Sequence, residues 1–291
     1  MARGTSLIVG LGLLLIPTVC LAGNVGLKLC TGSAKGNYYA AGQEVARQVA
    51  RDDIAVELVE TGGSMDNMQK MADGDCDAGF AQVDAYLRYQ AVNQGSRLEV
   101  EWPRQLYDEY VHLVCRRDTG VESIKDLAGR SKSFSLMVGA PGSGSAITWD
   151  SFTRLSPDYL DVETHEADGN EALQSINEAK ASCLMFVSGL RSKYASQVNN
   201  SGASLRLVSV DDRDFKKAKH IGKPIYDFQD IPKETYRKLQ SPSGDSIETL
   251  TVRAAMIISS AWAREHAVPF EALTEGIKRA TPIIRERVAA D

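Results

Sequence analysis

The stretch TGSAKGNYYAAG at residues 31–42 joins a short apolar segment, VGLKLC at 25–30, to an amphipathic one. The apolar segment predicts a strand and the amphipathic one a helix, so the glycines and the serine lie at a helix N-terminus. Backbone N–H groups at such a terminus bind small anions. The loop has neither the GxxxxGKS/T nor the GxGxxG spacing, so it does not predict a nucleotide site.

The same order of strand, loop and helix continues along the chain. IAVELVE at 54–60 alternates apolar and polar residues and predicts a second strand, and a helix is expected from Ser64 to Gly74. AGFAQV at 78–83 predicts a third strand, which leads through Asp84 into another helix. Strands that alternate with helices through short loops predict a parallel sheet with helices on both faces.

The second half of the chain repeats this order. Residues 132–138 predict a strand, residues 139–145 form a second glycine-serine loop before a helix, and residues 183–189 predict another strand. The proline-rich stretch at 221–245 is expected to be irregular. We interpret the chain as two α/β lobes, each with a glycine-serine loop after its first strand.

Two apolar segments, residues 110–118 and 250–259, are predicted to be strands that cross between the lobes. The first lobe is then expected to comprise residues 23–110 and about 240–291, and the second lobe residues 111–239. Two lobes joined by two crossing segments predict a hinged clamp.

Residues 1–22 are typical of a cleaved secretory signal peptide, with Arg3 before an apolar core of about 13 residues and a small-x-small ending at Ala22. The alternative is an N-terminal membrane anchor, but a spanning helix needs roughly 18 apolar residues. We therefore expect a protein of the periplasm. The remaining chain is mildly acidic and has no basic block, which argues against nucleic acid as a partner.

In a parallel sheet, the loops at the carboxyl ends of the strands meet at a crevice where ligands bind. Loops 31–37 and 139–145 are therefore expected to face each other across a cleft, each presenting backbone N–H groups and hydroxyls. The alternative is that both loops are tight strand-to-helix turns that bind nothing. Donors of this kind favour a small organic anion.

Motifs for catalysis are missing from the sequence. No serine lies in a GxSxG motif, and the four histidines form neither an HxxxH nor an HExxH pair. Asp84 could act as a general base, although a hydrogen bond to a loop or to a ligand amine is favoured. We expect no catalytic residue, no cofactor and no metal site. A serine hydrolase that uses Ser33 or Ser143 is the enzymatic alternative.

Four short glycine-, serine- or aspartate-containing segments of the sequence resemble motifs of the TAXI family of solute-binding proteins, the extracytoplasmic receptors of TRAP transporters. The matching positions are Thr31, Gly32, Ser33, Gly36, Tyr38 and Tyr39 for TGSxxGxYY, Thr61 to Ser64 and Asn67 for TGGSxxN, Gln82 and Asp84 for QxD, and Gly139 to Gly144 for GAPGSG. The similarity covers nearly all of the chain after residue 22. Two features depart from the family pattern. The segment Ser188-Gly189-Leu190-Arg191 lacks a proline, and Cys30 and Cys183 replace other residues.

The resemblance implies a type II periplasmic-binding-protein fold, in which each lobe is a mostly parallel sheet flanked by helices. It also implies that a small organic anion (glutamate-like, a 2-oxo acid or another dicarboxylate) is captured and delivered to the membrane subunits of a TRAP transporter. We expect a monomer. A sensory subunit of a membrane kinase would use the same clamp, so that alternative stays open. The residues expected to bind the solute are Gly32, Ser33, Gly36, Asn37, Tyr38, Gln82, Asp84, Ser143, Gly144, Ser145 and Ser188.

Four cysteines follow residue 22, namely Cys30, Cys76, Cys115 and Cys183, and none has CxxC spacing. They are compatible with disulfides or with buried thiols. In the implied fold the strand with Cys115 lies antiparallel beside the strand with Cys183, so a disulfide between these two is sterically allowed. Cys30 ends one strand and Cys76 begins a parallel neighbour, so a Cys30–Cys76 disulfide is not expected.

Overall fold

A computed structural model describes residues 25–34, 36–95, 98–128, 134–202, 204–220 and 222–290, and the predicted signal peptide lies outside these ranges. The strands are β1 (Val25–Cys30), β2 (Ile54–Val59), β3 (Ala78–Gln82), β4 (Val100–Arg116), β5 (Ser135–Met137), β6 (Glu163–His165), β7 (Cys183–Ser188), β8 (Leu205–Val208), β9 (Lys219–His220), β10 (Lys223–Pro224), β11 (Tyr226–Ile231) and β12 (Ile247–Ser259). The helices are α1 (Asn37–Val49), α2 (Ser64–Asp73), α3 (Val83–Val92), α4 (Gly144–Leu155), α5 (Gly169–Asn177), α6 (Lys193–Asn200), α7 (Ser260–Glu265) and α8 (Ala267–Ala290).

Ten of these strands form one mixed sheet in the order β2-β1-β3-β12-β4-β7-β5-β6, with β11 paired to β12 and β8 paired to β4. β1 runs parallel to β2 and β3, and β5 runs parallel to β6 and β7. We refer to β1–β3 with α1–α3, α7 and α8 as the first lobe, and to β5–β11 with α4–α6 as the second lobe. The predicted two-lobed periplasmic-binding-protein fold is confirmed.

β4 and β12 connect the two lobes and run antiparallel to their neighbours. The first half of β4 pairs with the end of β12, and its second half, from Tyr110, pairs with β7 and β8. Both predicted crossing segments are therefore strands, although β4 begins at Val100 and not at residue 110. The register between β4 and β12 shifts between Ala254 and Ala255. Such irregularities increase the local bend of a strand, so this is where we expect the sheet to flex.

The expectation of an irregular stretch at 221–245 is wrong for residues 223–224 and 226–231, which form strands, and is met at residues 232–245, which form neither helix nor strand. β11 lies within it and pairs residue by residue with the first half of β12, from Tyr226 opposite Val252 to Ile231 opposite Ile247. The two end residues of β11 are buried and the four residues between them are not, so no alternating pattern marks the strand in the sequence. Its conformation is determined by its hydrogen bonds to β12, a separate segment of the chain.

Each lobe has its own hydrophobic core. In the first lobe, buried Leu27, Val45 and Phe80 belong to a cluster that also contains Ile277 of α8. In the second lobe, Phe152 of α4 stacks on a neighbouring phenylalanine ring with the ring centroids 3.9 Å apart. Burying a side chain of this size stabilises the fold by roughly 1.5–3 kcal/mol. These two cores therefore hold in place the strands and helices that form the cleft.

A disulfide joins Cys115 to Cys183, as the sequence allowed. The two residues are direct partners in the antiparallel pairing of β4 with β7, and their Cα atoms are 4.1 Å apart. The crossing strand is thus covalently fixed to the second lobe.

The expectation that Cys30 and Cys76 stay unpaired is wrong, because a disulfide joins them with their Cα atoms 5.9 Å apart. Cys76 does not begin the neighbouring strand, since β3 starts at Ala78. It lies in the turn after α2, where its N–H donates to the carbonyl of Lys70. Both cysteines belong to the buried cluster between α2 and the sheet. The prediction assumed that Cys30 and Cys76 lie at opposite ends of two parallel strands. Because Cys76 lies outside β3, that separation does not arise.

Candidate functional site

A cavity of about 280 Å³ lies between the two lobes. The first lobe contributes Gly36 and Asn37 to its wall. The second lobe contributes the starts of α4, α5 and α6 and residues 184–188 of β7. Ligand pockets usually measure roughly 300–1,000 Å³, so this cavity suits a small solute.

Four helices begin at this cavity, with Gly36, Ser143, Asp168 and Ser192 as the N-cap residues of α1, α4, α5 and α6. In the last three helices the side chain of the N-cap residue accepts a hydrogen bond from a backbone N–H of the first turn. Gly36 has no side chain, so the first turn of α1 has no side-chain cap. No side chain of the described residues caps the N–H groups at the start of this turn, so they can bind an anion on the first-lobe side of the cavity.

Two hydroxyl groups of the second lobe complement these donors. The oxygen of Ser143 accepts the N–H of Ala146 at 3.3 Å, and that of Ser145 accepts the N–H of Val187 at 2.9 Å. Neither hydroxyl donates to another residue in the described part of the chain, so both protons are available to an acceptor on a ligand. Ser188, also in the wall, shares a 3.1 Å hydrogen bond with the hydroxyl of Ser192.

Five predicted site residues line the cavity, namely Gly36, Asn37, Ser143, Ser145 and Ser188. Gly32 is buried, and Ser33 is exposed to solvent. Ser33 also accepts the N–H of Gly36 with its backbone carbonyl, which closes the turn into α1. The remaining predicted residues make contacts outside this wall.

Tyr38 and Gln82 bind a buried carboxyl group that the sequence did not indicate, that of Glu109 on β4. The amide nitrogen of Gln82 donates to Glu109 Oε2 at 2.8 Å, and the Tyr38 hydroxyl donates to the same oxygen at 3.3 Å. Burial raises the pKa of Glu109 from its ordinary value of 4.5 to about 7, although these hydrogen bonds lower it. Ser64 is the first residue of α2, as expected, and its side chain accepts the N–H of Gln82.

Gly144, the first residue of α4, lies against the side chain of Gln82 from the other lobe. A Cβ atom at Gly144 would come within 2.7 Å of Gln82 Cδ. The carbonyl oxygen of the Gln82 side chain is buried and has no hydrogen-bond partner in the described residues. Only a glycine allows the lobes to approach this closely at that position.

Asp84 also links the two lobes. Its carboxylate accepts hydrogen bonds of 2.8 Å from the hydroxyls of Thr148 on α4 and Tyr226 on β11. Burial raises the pKa of Asp84, whereas these two hydrogen bonds lower it. Asp84 is therefore a hydrogen-bonding residue within the protein, and both of these partners belong to the second lobe.

The described residues give no support to nucleophilic catalysis. The buried ring of His112 is occupied by the carbonyl of Tyr110 and the hydroxyl of Tyr236, both at 2.9 Å. In these ranges neither Ser33 nor Ser143 has a histidine as a hydrogen-bond partner, so no Ser–His pair is formed there. Over the same ranges, no three potential metal ligands come together, and none of the helices is long and apolar enough to cross a membrane.

Two α/β lobes joined by two strands, with a cavity between them, define a fold of the periplasmic-binding-protein type. The chain belongs to the NMT1-like family, which it matches over residues 29–268.

Solved structures of low sequence identity have the same fold. The periplasmic aliphatic sulphonate binding protein SsuA from Escherichia coli has a TM-score of 0.56 and 10% identity, over 90% of this chain and 75% of that one. Lactococcal OpuAC, complexed with glycine betaine, has a TM-score of 0.53 and 12% identity, over 90% and 89% of the two chains. The GluR0 ligand binding core, complexed with L-glutamate, has a TM-score of 0.57 and 13% identity, over 91% and 99%.

Proposed function

We propose that this protein is a periplasmic receptor that captures a small organic acid in the cleft and delivers it to the membrane subunits of a TRAP-type transporter. The observation that carries the proposal is the arrangement of donors around the cavity. The first turn of α1 lacks a side-chain cap, and Ser143 and Ser145 of the other lobe have uncommitted hydroxyl protons.

A carboxylate is the ligand group that fits these donors best. Each of its oxygens accepts two hydrogen bonds, and hydrogen bonds to a charged group contribute roughly 1.5–3 kcal/mol each. Three structural relatives support a small organic acid more broadly, since SsuA is named for binding aliphatic sulphonates, and OpuAC and the GluR0 ligand binding core are complexed with glycine betaine and L-glutamate.

Delivery to a TRAP transporter rests on the sequence motifs. The chain contains four segments that resemble those of TAXI receptors, namely TGSxxGxYY, TGGSxxN, QxD and GAPGSG. Membership of the NMT1-like family is compatible with this resemblance. The lobe arrangement supports it as well, because a transporter must distinguish a loaded receptor from an empty one. Donors from both lobes bind a solute together only when the cleft is closed.

The test is calorimetric titration of the purified protein with amino acids, 2-oxo acids and dicarboxylates, with neutral sugars as the negative set. Native mass spectrometry of the same sample reports any solute retained through purification, and a monomer is expected. If sugars bind and the acids do not, the proposal is wrong.

Ser143→Ala links the titration to the cleft. The variant should weaken binding of the acid by about 1–3 kcal/mol, the range for a lost polar partner. Ser143 also caps α4, so a small loss of stability is expected in the unliganded protein. Ser123→Ala is the matched control, because Ser123 caps a short helical turn outside the cavity wall. It should bind the acid like the parent protein.

A further inference from the structure

We infer that the solute carries an amino group beside its carboxylate, and that Asp168 recognises this group and selects amino acids over 2-oxo acids. This inference rests on the proposed function of the cleft and specifies its substrate class.

Asp168 is an exposed residue in the wall of the open cavity, at the start of α5, and only one of its carboxylate oxygens is used in the fold. Its Oδ1 accepts the N–H groups of Asn170 and Glu171 at 2.8 and 3.0 Å. Its Oδ2 has no hydrogen-bond partner in the described residues. The fold therefore holds this side chain in place through one oxygen and leaves the other available to a donor on the solute.

The charge of the cavity wall also favours a solute with both signs of charge. Asp168 is the one carboxylate in the described wall, and no lysine, arginine or histidine of the described residues lines the cavity. A dicarboxylate bound with one end at α1 and its second end near Asp168 would place two negative charges together, with no cation of the described wall residues between them. An ammonium group at this place would instead form a charge-assisted hydrogen bond.

Two aromatic rings line the same cavity as Asp168. Phe186 and Tyr194 both line the cavity and meet edge to face, with their ring centroids 4.9 Å apart. The Tyr194 hydroxyl donates to the carbonyl of Gly169 at 2.7 Å, and burial followed by the nearby Asp168 charge raises the pKa of this phenol. The phenol therefore stays neutral. Aromatic rings beside a carboxylate provide a favourable environment for a cation.

Matched pairs of acids that differ in the amino group test the inference. L-alanine and pyruvate, L-leucine and 4-methyl-2-oxopentanoate, and L-glutamate and 2-oxoglutarate are titrated into the parent protein, Asp168→Asn and Glu171→Gln. Asparagine keeps the capping oxygen and removes the charge. Glu171 is exposed on the first turn of the same helix and does not line the cavity.

In at least one pair, the parent and Glu171→Gln should bind the amino acid ten times or more tighter than its 2-oxo partner. Asp168→Asn should lose that preference by weakening only the amino acid. If a 2-oxo acid binds best, or if Asp168→Asn weakens both members equally, the inference is overturned while the carboxylate receptor stands. If none of the acids binds the parent protein, the proposed function fails and the inference with it.

Discussion

Gly144 at the start of α4 lies in direct contact with the side chain of Gln82 on the opposite lobe. Because a Cβ atom would overlap the amide of Gln82, Gly144→Ala should hold the lobes apart. We expect this variant to bind the solute at least ten times more weakly and to have a larger radius of gyration in solution scattering when solute is present.

Gln82→Ala removes the side-chain amide that a Cβ atom at Gly144 would overlap. The double variant Gln82→Ala/Gly144→Ala should therefore recover part of the affinity lost in Gly144→Ala. Gly95→Ala, at a glycine with no atom near the added Cβ, is the control and should bind normally. Equal binding by Gly144→Ala and Gly95→Ala would contradict closure at this contact.

The bond from Thr148 to Asp84 should contribute to the stability of the two-lobed arrangement. Thr148→Val keeps the shape of the side chain and removes the hydroxyl that donates to the buried carboxylate. We expect the free energy of unfolding to fall by about 1–3 kcal/mol, because a buried charged acceptor loses a donor. Thr153→Val on the same helix removes only a hydroxyl bonded to the carbonyl of Asp150. Denaturant titration of both variants distinguishes the inter-lobe bond from a general effect of valine in α4.

Glu109 should make stability depend on pH. Its pKa in the folded protein is raised to about 7 from 4.5, mainly by burial and with a smaller contribution from the charge of Asp84. The folded protein therefore retains a proton that the unfolded chain releases, so stability falls as the pH rises from about 4.5 to about 7. The size of this effect is up to about 3 kcal/mol.

Glu109→Gln removes this titration. The difference in unfolding free energy between the parent and Glu109→Gln should change between pH 5 and 7.5 and become constant above that range. Glu57→Gln, at an exposed position on β2, is the control for the loss of one carboxylate. A constant difference for Glu109→Gln would show that Glu109 is ionised throughout.

The Cys30–Cys76 disulfide should stabilise the first lobe. It joins residues 46 positions apart, and closing a loop of this size contributes about 2–4 kcal/mol. The double variant Cys30→Ala/Cys76→Ala should lose stability in that range. Peptide mapping without reduction should recover both linked pairs, Cys30 with Cys76 and Cys115 with Cys183. Free thiols at Cys30 and Cys76 in the mature protein would contradict the structure.

Much of the fold was predictable because local signals mark its elements. β1, α1, β2, α2 and β3 all lie within a few residues of their predicted ranges, since glycine and serine loops separate them. The first half of β4 and the whole of β11 were not predicted. Their sequences, VEWPRQLYDE and YDFQDI, are polar or interrupted by proline. Both segments become strands because they pair with β12, and pairing between distant segments leaves no local pattern.

The residues of the cavity wall were predictable where their position after a strand was a sufficient signal. Gly36, Asn37, Ser143, Ser145 and Ser188 follow or end strands, and they line the cavity. The same signal selected Gln82 and Asp84, but their partners became visible only once the lobes were seen together.

Glu109 and Asp168 were missed for different reasons. Glu109 lies just before the apolar run that begins at residue 110, so nothing marked it as buried. Asp168 had a usable signal, because an aspartate before Gly169 and a helical pattern is typical of an N-cap.

β12 lies in the middle of the sheet, between β3 and β4, although it is the last strand in the chain. Until residues 247–259 have been synthesised, β3 and β4 each present an open edge where this strand will pair. A chain cut before Ile247 would contain every residue predicted to bind the solute and would still lack the strand that joins their supports. Because its pairings span long stretches of sequence, they are slow to form. The cleft can thus assemble only after nearly the whole chain has been made.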